Sequence, residues 1–233
     1  MSKEGNFMKL LIDDGNLDAI KDIVALYPID GVTTNPTILS KAGENPKDRL
    51  LKIRDLIGPD MDLHCQVVAS KKEEMVDQAR KLVKLLGENT YIKIPSVGEG
   101  FKAMEELSKE GIKITATGIY SPLQGFLAAK AGAKYLAPYV NRIDNLGYDG
   151  LAVARKIQNI LEANGFEAEI LAASFKNSNQ VLDLVERGVG ALTLSPAVFK
   201  NLVNDRNVDF AINNFEDDFA KILNEGDSFS DVL

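Results

Sequence analysis

Two kinds of apolar spacing alternate along this chain. Runs of three to five mostly apolar residues are separated by longer stretches in which apolar positions recur at intervals of three and four. The short runs predict strands at 9–12, 32–34, 63–67, 91–94, 113–117, 135–138, 169–172 and 192–194. The longer stretches predict helices, and several carry boundary signals. Asn45-Pro46 caps and opens one helix, with proline at its first position. Ser70-Lys71-Lys72-Glu73 has the form of a capping box ahead of a helix over 75–86. Ser121-Pro122 opens another helix, and Gly132 ends it. Further helices are expected around 151–163, 181–187 and 196–202. An extra amphipathic helix over 208–223 follows the last strand. Residues 1–7 read as an N-terminal extension and 224–233 as a loose tail.

Eight strands alternating with helices imply parallel pairing through right-handed crossovers. Such a sheet can stay open or close on itself. Eight repeats of about 25 residues favour closure, so the expected fold is a single α/β domain over 1–233, a (β/α)8 TIM barrel with an extra C-terminal helix. Nothing rich in Pro, Gly and Ser marks a linker to a second domain.

Composition narrows the chemistry more than the fold. At 233 residues with 45% hydrophobic and 26% charged side chains, the chain suits one globular domain. The net charge of −7, without a Lys/Arg cluster, argues against a nucleic-acid partner. No apolar run approaches the ~18 residues of a membrane span, and no secretion signal is evident. A single cysteine, Cys65, excludes an internal disulfide framework and fits a cytoplasmic location. The single histidine, His64, is too few for a zinc-dependent hydrolase or aldolase, so no metal is expected. Its setting in an apolar strand reads as structural packing, which also weakens any Ser–His–Asp arrangement. Catalysis must then rest on lysine, carboxylate, hydroxyl and amide groups.

Barrel enzymes keep their chemistry at the C-terminal ends of the strands, and those ends are polar here. In strand order they offer Asp13; Thr33, Thr34 and Asn35; Gln66; Lys93; Thr117; Tyr139 with Arg142 beyond; Ser174 with Lys176 beyond; and Ser195. Asn35 and Ser195, each before a proline, also suit helix caps. Lys93 stands out. In Tyr91-Ile92-Lys93-Ile94-Pro95 it shares the inward face with Tyr91 and Pro95. Burial disfavours an ammonium and favours the neutral amine that attacks a carbonyl. Lys9 and Lys113 also sit among apolar residues, but they begin their strands and belong at the solvent side of the opposite end. Gly98-Glu99-Gly100-Phe101-Lys102-Ala103 matches a relaxed dinucleotide fingerprint. With Glu99 facing the pyrophosphate and no acid ending the next strand, it is expected to be a flexible turn.

Five segments together resemble a known family: Gly31-Val32-Thr33-Thr34-Asn35-Pro36, Lys93-Ile94-Pro95, Gln124-Gly125, Ala137-Pro138-Tyr139-Val140-Asn141-Arg142-Ile143-Asp144 and Leu171-Ala172-Ala173-Ser174-Phe175-Lys176. They are similar to the small bacterial transaldolases and, within them, to the fructose-6-phosphate aldolase branch, over roughly 9–223. The resemblance implies a (β/α)8 barrel that needs no cofactor, with Lys93 forming a Schiff base. It implies that Asp13 orients the substrate hydroxyls and the lysine, and that Thr33 and Asn35 bind substrate. By the same likeness Gln66 and Thr117 hold a catalytic water and Tyr139 is the acid–base group. Arg142 and Ser174 match the phosphate-binding positions, with Lys176 assisting. A ring-based homodecamer whose C-terminal helix packs on a neighbouring copy is implied as well. Transaldolases proper carry Glu at the position of Gln66 and Phe at that of Tyr139, so both residues favour the aldolase branch. Asp14-Gly15 departs from the usual Thr. The alternatives are a transaldolase that passes a dihydroxyacetone unit between sugar phosphates, and a non-catalytic sugar-phosphate-binding barrel. A triose-phosphate-type isomerase would need a glutamate base, and no Glu ends a strand.

Overall fold

Each of the eight apolar runs forms a strand. In chain order the elements are β1 (Lys9–Asp13), α1 (Leu17–Leu26), β2 (Gly31–Thr33), α2 (Pro36–Lys41), α3 (Pro46–Ile57), β3 (Asp62–Gln66), α4 (Lys72–Leu86), β4 (Thr90–Pro95), α5 (Gly98–Lys109), β5 (Ile114–Ile119), α6 (Pro122–Lys130), β6 (Tyr135–Pro138), α7 (Val140–Asp144), α8 (Gly150–Asn164), β7 (Glu169–Ala172), α9 (Ser178–Arg187), β8 (Ala191–Leu194), α10 (Pro196–Val203) and α11 (Arg206–Ala220). This is a computed structural model, and it describes residues 7–223 and 227–231. Residues 1–6 of the expected N-terminal extension, and 224–226 and 232–233 of the expected tail, lie outside the described residues. Within that tail Phe229–Asp231 forms a 3-10 turn.

The sheet closes in strand order, every pair parallel, with β1 completing the ring against β8 through Leu11↔Thr193 and Ile12↔Leu194. Contacts divide the chain into a unit ending at Phe199, which holds the whole barrel, and a unit from Lys200 onward. Strand alternation sends Ile12, Val32, Ile92 and Ile94, all fully buried, out against the helix layer. It sends Leu11, Tyr91, Tyr135, Leu171 and Ala191 inward, where they form one cluster. In the second unit Phe219 meets Phe229 edge to face at 4.6 Å.

Three expectations need correcting. The Gly98–Ala103 segment is not a flexible turn but the start of α5. A Cβ on Gly100 would lie 1.9 Å from the Pro95 carbonyl oxygen, so this glycine lets the helix approach its strand. The Ser70 capping box does not form: Lys71 is the N-cap residue and makes no side-chain cap bond. The free Lys72 N–H donates instead to the Glu99 carboxylate at 3.0 Å, a partner 27 positions away. The fifth strand does not end at Thr117 but runs to Ile119, through a register shift against β6 at which Gly118 has φ +68.

Candidate active site

The polar strand ends converge at the C-terminal mouth of the barrel as two linked groups. One lines a cavity of about 780 Å3 and includes Asp13, Asn35, Arg142 and Ser195, a volume suited to a small ligand. The other, Lys93 with Thr117 and Tyr139, lies in the barrel beside that wall. Three direct contacts or chain neighbours join them.

The first link runs through β2. Thr33 Oγ1 donates to Asp13 at 2.6 Å and lies 2.7 Å from Thr193 Oγ1, so the carboxylate is anchored from the adjacent strand. One residue on, the Thr34 carbonyl accepts from Lys93 Nζ at 2.8 Å. Thr34 is itself held to β3, its N–H and hydroxyl both donating to the His64 carbonyl. Next, Asn35 caps α2, its Oδ1 accepting from the Ile38 N–H at 3.0 Å. Three consecutive residues thus serve the strand-one acid, the buried amine and the cavity wall.

Lys93 is 5% exposed. Strand register sets Gln66 and Thr115 beside it on β3 and β5. Its Nζ donates to a backbone carbonyl rather than to a carboxylate, so the nitrogen is held without being locked in an ion pair. Beneath it, His64 Nδ1 pairs with Thr115 Oγ1 at 2.8 Å, and its ring stacks on Tyr91 at 4.4 Å. Burial, then the charges of Lys93 and Lys9, holds the His64 imidazole well below its usual range; it is neutral and structural, as its sequence setting suggested. Cys65 faces the helix layer, and burial pushes its thiol up to about 12, leaving it an inert packing group.

The second link is Tyr139, the residue after β6, with φ −93 and ψ 81. Its hydroxyl lies 2.6 Å from Thr117 Oγ1. The third is Arg142, on the short helix α7, whose guanidinium carbon lies 4.6 Å from the Tyr139 ring centroid while the residue also lines the cavity.

Ser174 follows β7 with φ +63, the one non-glycine residue with positive φ among those described. A serine in the left-handed region is strained by roughly 1 kcal/mol or more, and here the Asn141 N–H fixes the conformation by donating to the Ser174 carbonyl at 2.7 Å. Lys176 is exposed and its side chain lies outside the cavity wall. Its N–H donates to Gln180, Gln180 donates to Asp144 of α7, and Asp144 also accepts from Gly150. This part-buried chain of bonds fixes the loop after β7 against the helix that carries Arg142. Sequence reasoning noted Thr34 as a strand-end side chain but not its carbonyl, and it missed Thr193, Asp144 and Gln180. Only Asp144 gave a signal, as part of the Asn141–Asp144 motif.

Among the described residues no group of three His, Cys, Asp or Glu side chains is placed to hold a metal ion, and no helix is long and apolar enough to cross a membrane.

Known proteins with the same features fall into two sets. Two solved barrels share the fold alone. A mandelate racemase/muconate lactonizing enzyme-like protein from Rubrobacter xylanophilus DSM 9941 is 14% identical with TM-score 0.59, covering 82% of this chain and 58% of its own. A doubly substituted flavocytochrome b2 with pyruvate bound is 14% identical with TM-score 0.60, covering 91% and 62%. The chain therefore spans about six-tenths of either protein. A relative from Streptococcus pneumoniae (strain ATCC 700669 / Spain 23F-1), named a probable fructose-6-phosphate aldolase, is 38% identical over 218 residues, covering 93% of this chain and 98% of that protein. The family model for transaldolase/fructose-6-phosphate aldolase matches residues 10–231. With the barrel closed in strand order, a buried lysine on β4 and a match across nearly the whole length, the chain belongs to the transaldolase/fructose-6-phosphate aldolase family.

Proposed function

We propose that the protein is a Schiff-base aldolase that cleaves fructose 6-phosphate to dihydroxyacetone and glyceraldehyde 3-phosphate, and forms it in reverse. The observation that carries this is Lys93: a buried amine at the catalytic end of the barrel, held by one backbone carbonyl and set near a Tyr139–Thr117 hydroxyl pair. The Lys93 amine attacks the ketose carbonyl, and loss of water gives an iminium. Tyr139, directly or through one water held by Gln66 and Thr117, takes the proton of the C4 hydroxyl. The C3–C4 bond breaks, its electrons pass into the iminium, and glyceraldehyde 3-phosphate leaves. The enamine then takes a proton at carbon, and hydrolysis of the iminium frees dihydroxyacetone and Lys93. Asp13, held by Thr33, and Asn35 orient the hydroxyls at the cavity. Arg142 at the cavity wall and Ser174 on the loop after β7 receive the phosphate, a role suited to the forked guanidinium.

A tyrosine at position 139 and an amide at position 66 favour release of free dihydroxyacetone over transfer to an acceptor. Fructose 6-phosphate supplied alone is expected to yield dihydroxyacetone; product that appears only with erythrose 4-phosphate, as sedoheptulose 7-phosphate, would make the protein a transaldolase. Borohydride reduction in the presence of dihydroxyacetone is expected to label Lys93, and a label on Lys9 or Lys113 would defeat the assignment.

The same reading places the protein in the cytoplasm, where Cys65 stays reduced, and makes it a homo-oligomer of ring type. The support for assembly is α11, whose Phe210 and Phe215 are exposed. Truncation after Asn207 is expected to give smaller species in sedimentation; a wild-type monomer at micromolar concentration would overturn it.

A further inference from the structure

Arg142 has an additional neighbour that a phosphate anchor does not need. Its guanidinium carbon lies 4.6 Å from the centroid of the Tyr139 ring. Tyr120 meets that ring edge to face at 5.7 Å and 76°. The Tyr139 hydroxyl is 2.6 Å from Thr117 Oγ1. The backbone is held too: the Tyr139 N–H donates to the Ile119 carbonyl, and the Tyr139 carbonyl accepts from Ile143, one residue beyond Arg142. The ring is therefore clamped by a cation, an aromatic edge and a hydrogen bond, while the same cation reaches the cavity wall.

We infer that Arg142 is a positioning residue for the proton transfer made by Tyr139, in addition to any role in binding phosphate. The inference rests on the Schiff-base function proposed above. When the enamine takes a proton at carbon, the Tyr139 O–H bond breaks, the new C–H bond forms, and the phenol oxygen carries the negative charge until water returns a proton. A guanidinium over the ring face offsets that charge where it develops. It also fixes the ring so that the hydroxyl stays at Thr117. A phosphate bound to Arg142 draws on the same positive charge, so substrate phosphate and proton transfer are coupled through one side chain.

Dihydroxyacetone tests this because it has no phosphate, which silences the anion-binding role. In heavy water the wild-type protein is expected to exchange the carbon-bound hydrogens of dihydroxyacetone through iminium and enamine, followed by NMR. Borohydride trapping on Lys93 is measured in parallel and reports site integrity without needing Tyr139. Arg142→Gln is expected to slow exchange about tenfold while trapping stays at the wild-type level, and Arg142→Lys is expected to recover part of the loss, since an ammonium can also sit over the ring. Exchange at the wild-type rate in Arg142→Gln would overturn the inference, as would equal losses in exchange and trapping, or a Lys variant no better than Gln. Wild-type protein that forms no reducible adduct would instead overturn the Schiff-base function on which the inference stands.

Discussion

Lys9 and Lys93 both belong to the barrel interior, one at each end, and their partners differ in kind. Lys9 ends on the Asp62 carboxylate at 2.5 Å, an ion pair whose acid is 7% exposed. Lys113, also at that end, donates to Asn89 and lies 5.4 Å from the Tyr91 ring centroid. Tyr91 and Tyr135 close the core above them, and burial is the main cause that raises both phenols, Tyr91 to about 12. Lys9 and Lys113 at the N-terminal end are thus each matched with a polar side chain. Lys93, at the C-terminal end, has a backbone carbonyl as its partner, and the cavity wall at that end carries Asp13, Asn35 and Arg142. A carboxylate or an amide fixes each lysine at the first end, while the cavity at the second leaves room for a small ligand. On the proposed function, the two ends separate stability from chemistry within a single sheet.

The largest expected effect tests the reactive end. Lys93→Met is expected to lower turnover of fructose 6-phosphate by at least about a thousandfold, because the proposed nucleophile is lost outright. The urea midpoint is expected to hold or rise, since only one hydrogen bond is given up. A large fall in the midpoint would mean that Lys93 is structural like Lys9. Tyr139→Phe comes next. Loss of an acid–base group costs about 10²–10⁴-fold, so release of dihydroxyacetone without an acceptor is expected to fall by at least about a hundredfold. Lys93 trapping should persist in the same variant, and Gln66→Glu is expected to shift product toward transfer; unchanged release in Tyr139→Phe would reduce that ring to packing.

The opposite end should answer in stability alone. Lys9→Met leaves Asp62 buried without its cation. Breaking a fully buried pair costs 3–5 kcal/mol. With Lys9 31% exposed, the expected loss is about 2 kcal/mol by urea unfolding. Turnover per folded molecule is expected to stay within twofold, and a catalytic defect at constant stability would erase the contrast between the two ends.

His64, between the ends, should give the smallest effect, through pH. Its folded state binds the proton less readily than the unfolded chain, whose histidine titrates near 6.5. Below that value the unfolded state binds more protons, so stability falls as pH falls and is flat above it. Between pH 6.5 and 5.5 the expected loss is about 1 kcal/mol. Because this is the chain's one histidine, His64→Phe should remove the slope in that window, and an unchanged slope would assign it to other groups.

The strands were legible because each is a short apolar run flanked by turn residues, and all eight fall within two residues of expectation. Their closure followed from the count and the spacing. The Asn45, Asn35 and Ser121 caps were legible because the bonded partner is two or three residues away. The Lys72 partner was not, because Glu99 reaches it from another helix. The same division holds in the site. Lys93 and Asp13 announce themselves as polar residues at strand ends. Thr34 acts through its carbonyl, which every residue has, so no side chain betrays it. Gln180 and Asp144 work through a contact across 36 positions, and the left-handed φ of Ser174 has no glycine to mark it.

The cap on α2 also has a stereochemical consequence. An asparagine side chain has an acceptor at one corner and a donor at the other, and the Ile38 N–H selects the acceptor. The Asn35 amide plane is therefore oriented by a helix, and its NH2 corner is left as a donor in the cavity wall. Serine or aspartate would cap the same helix about equally well, yet serine would leave nothing polar at that corner and aspartate would present an oxygen there. Asn35→Asp, nearly isosteric, would keep the fold and convert this corner from a hydrogen-bond donor into a second negative charge beside Asp13. The helix thus fixes the polarity of the neighbouring cavity wall without contributing a residue of its own body to the chemistry.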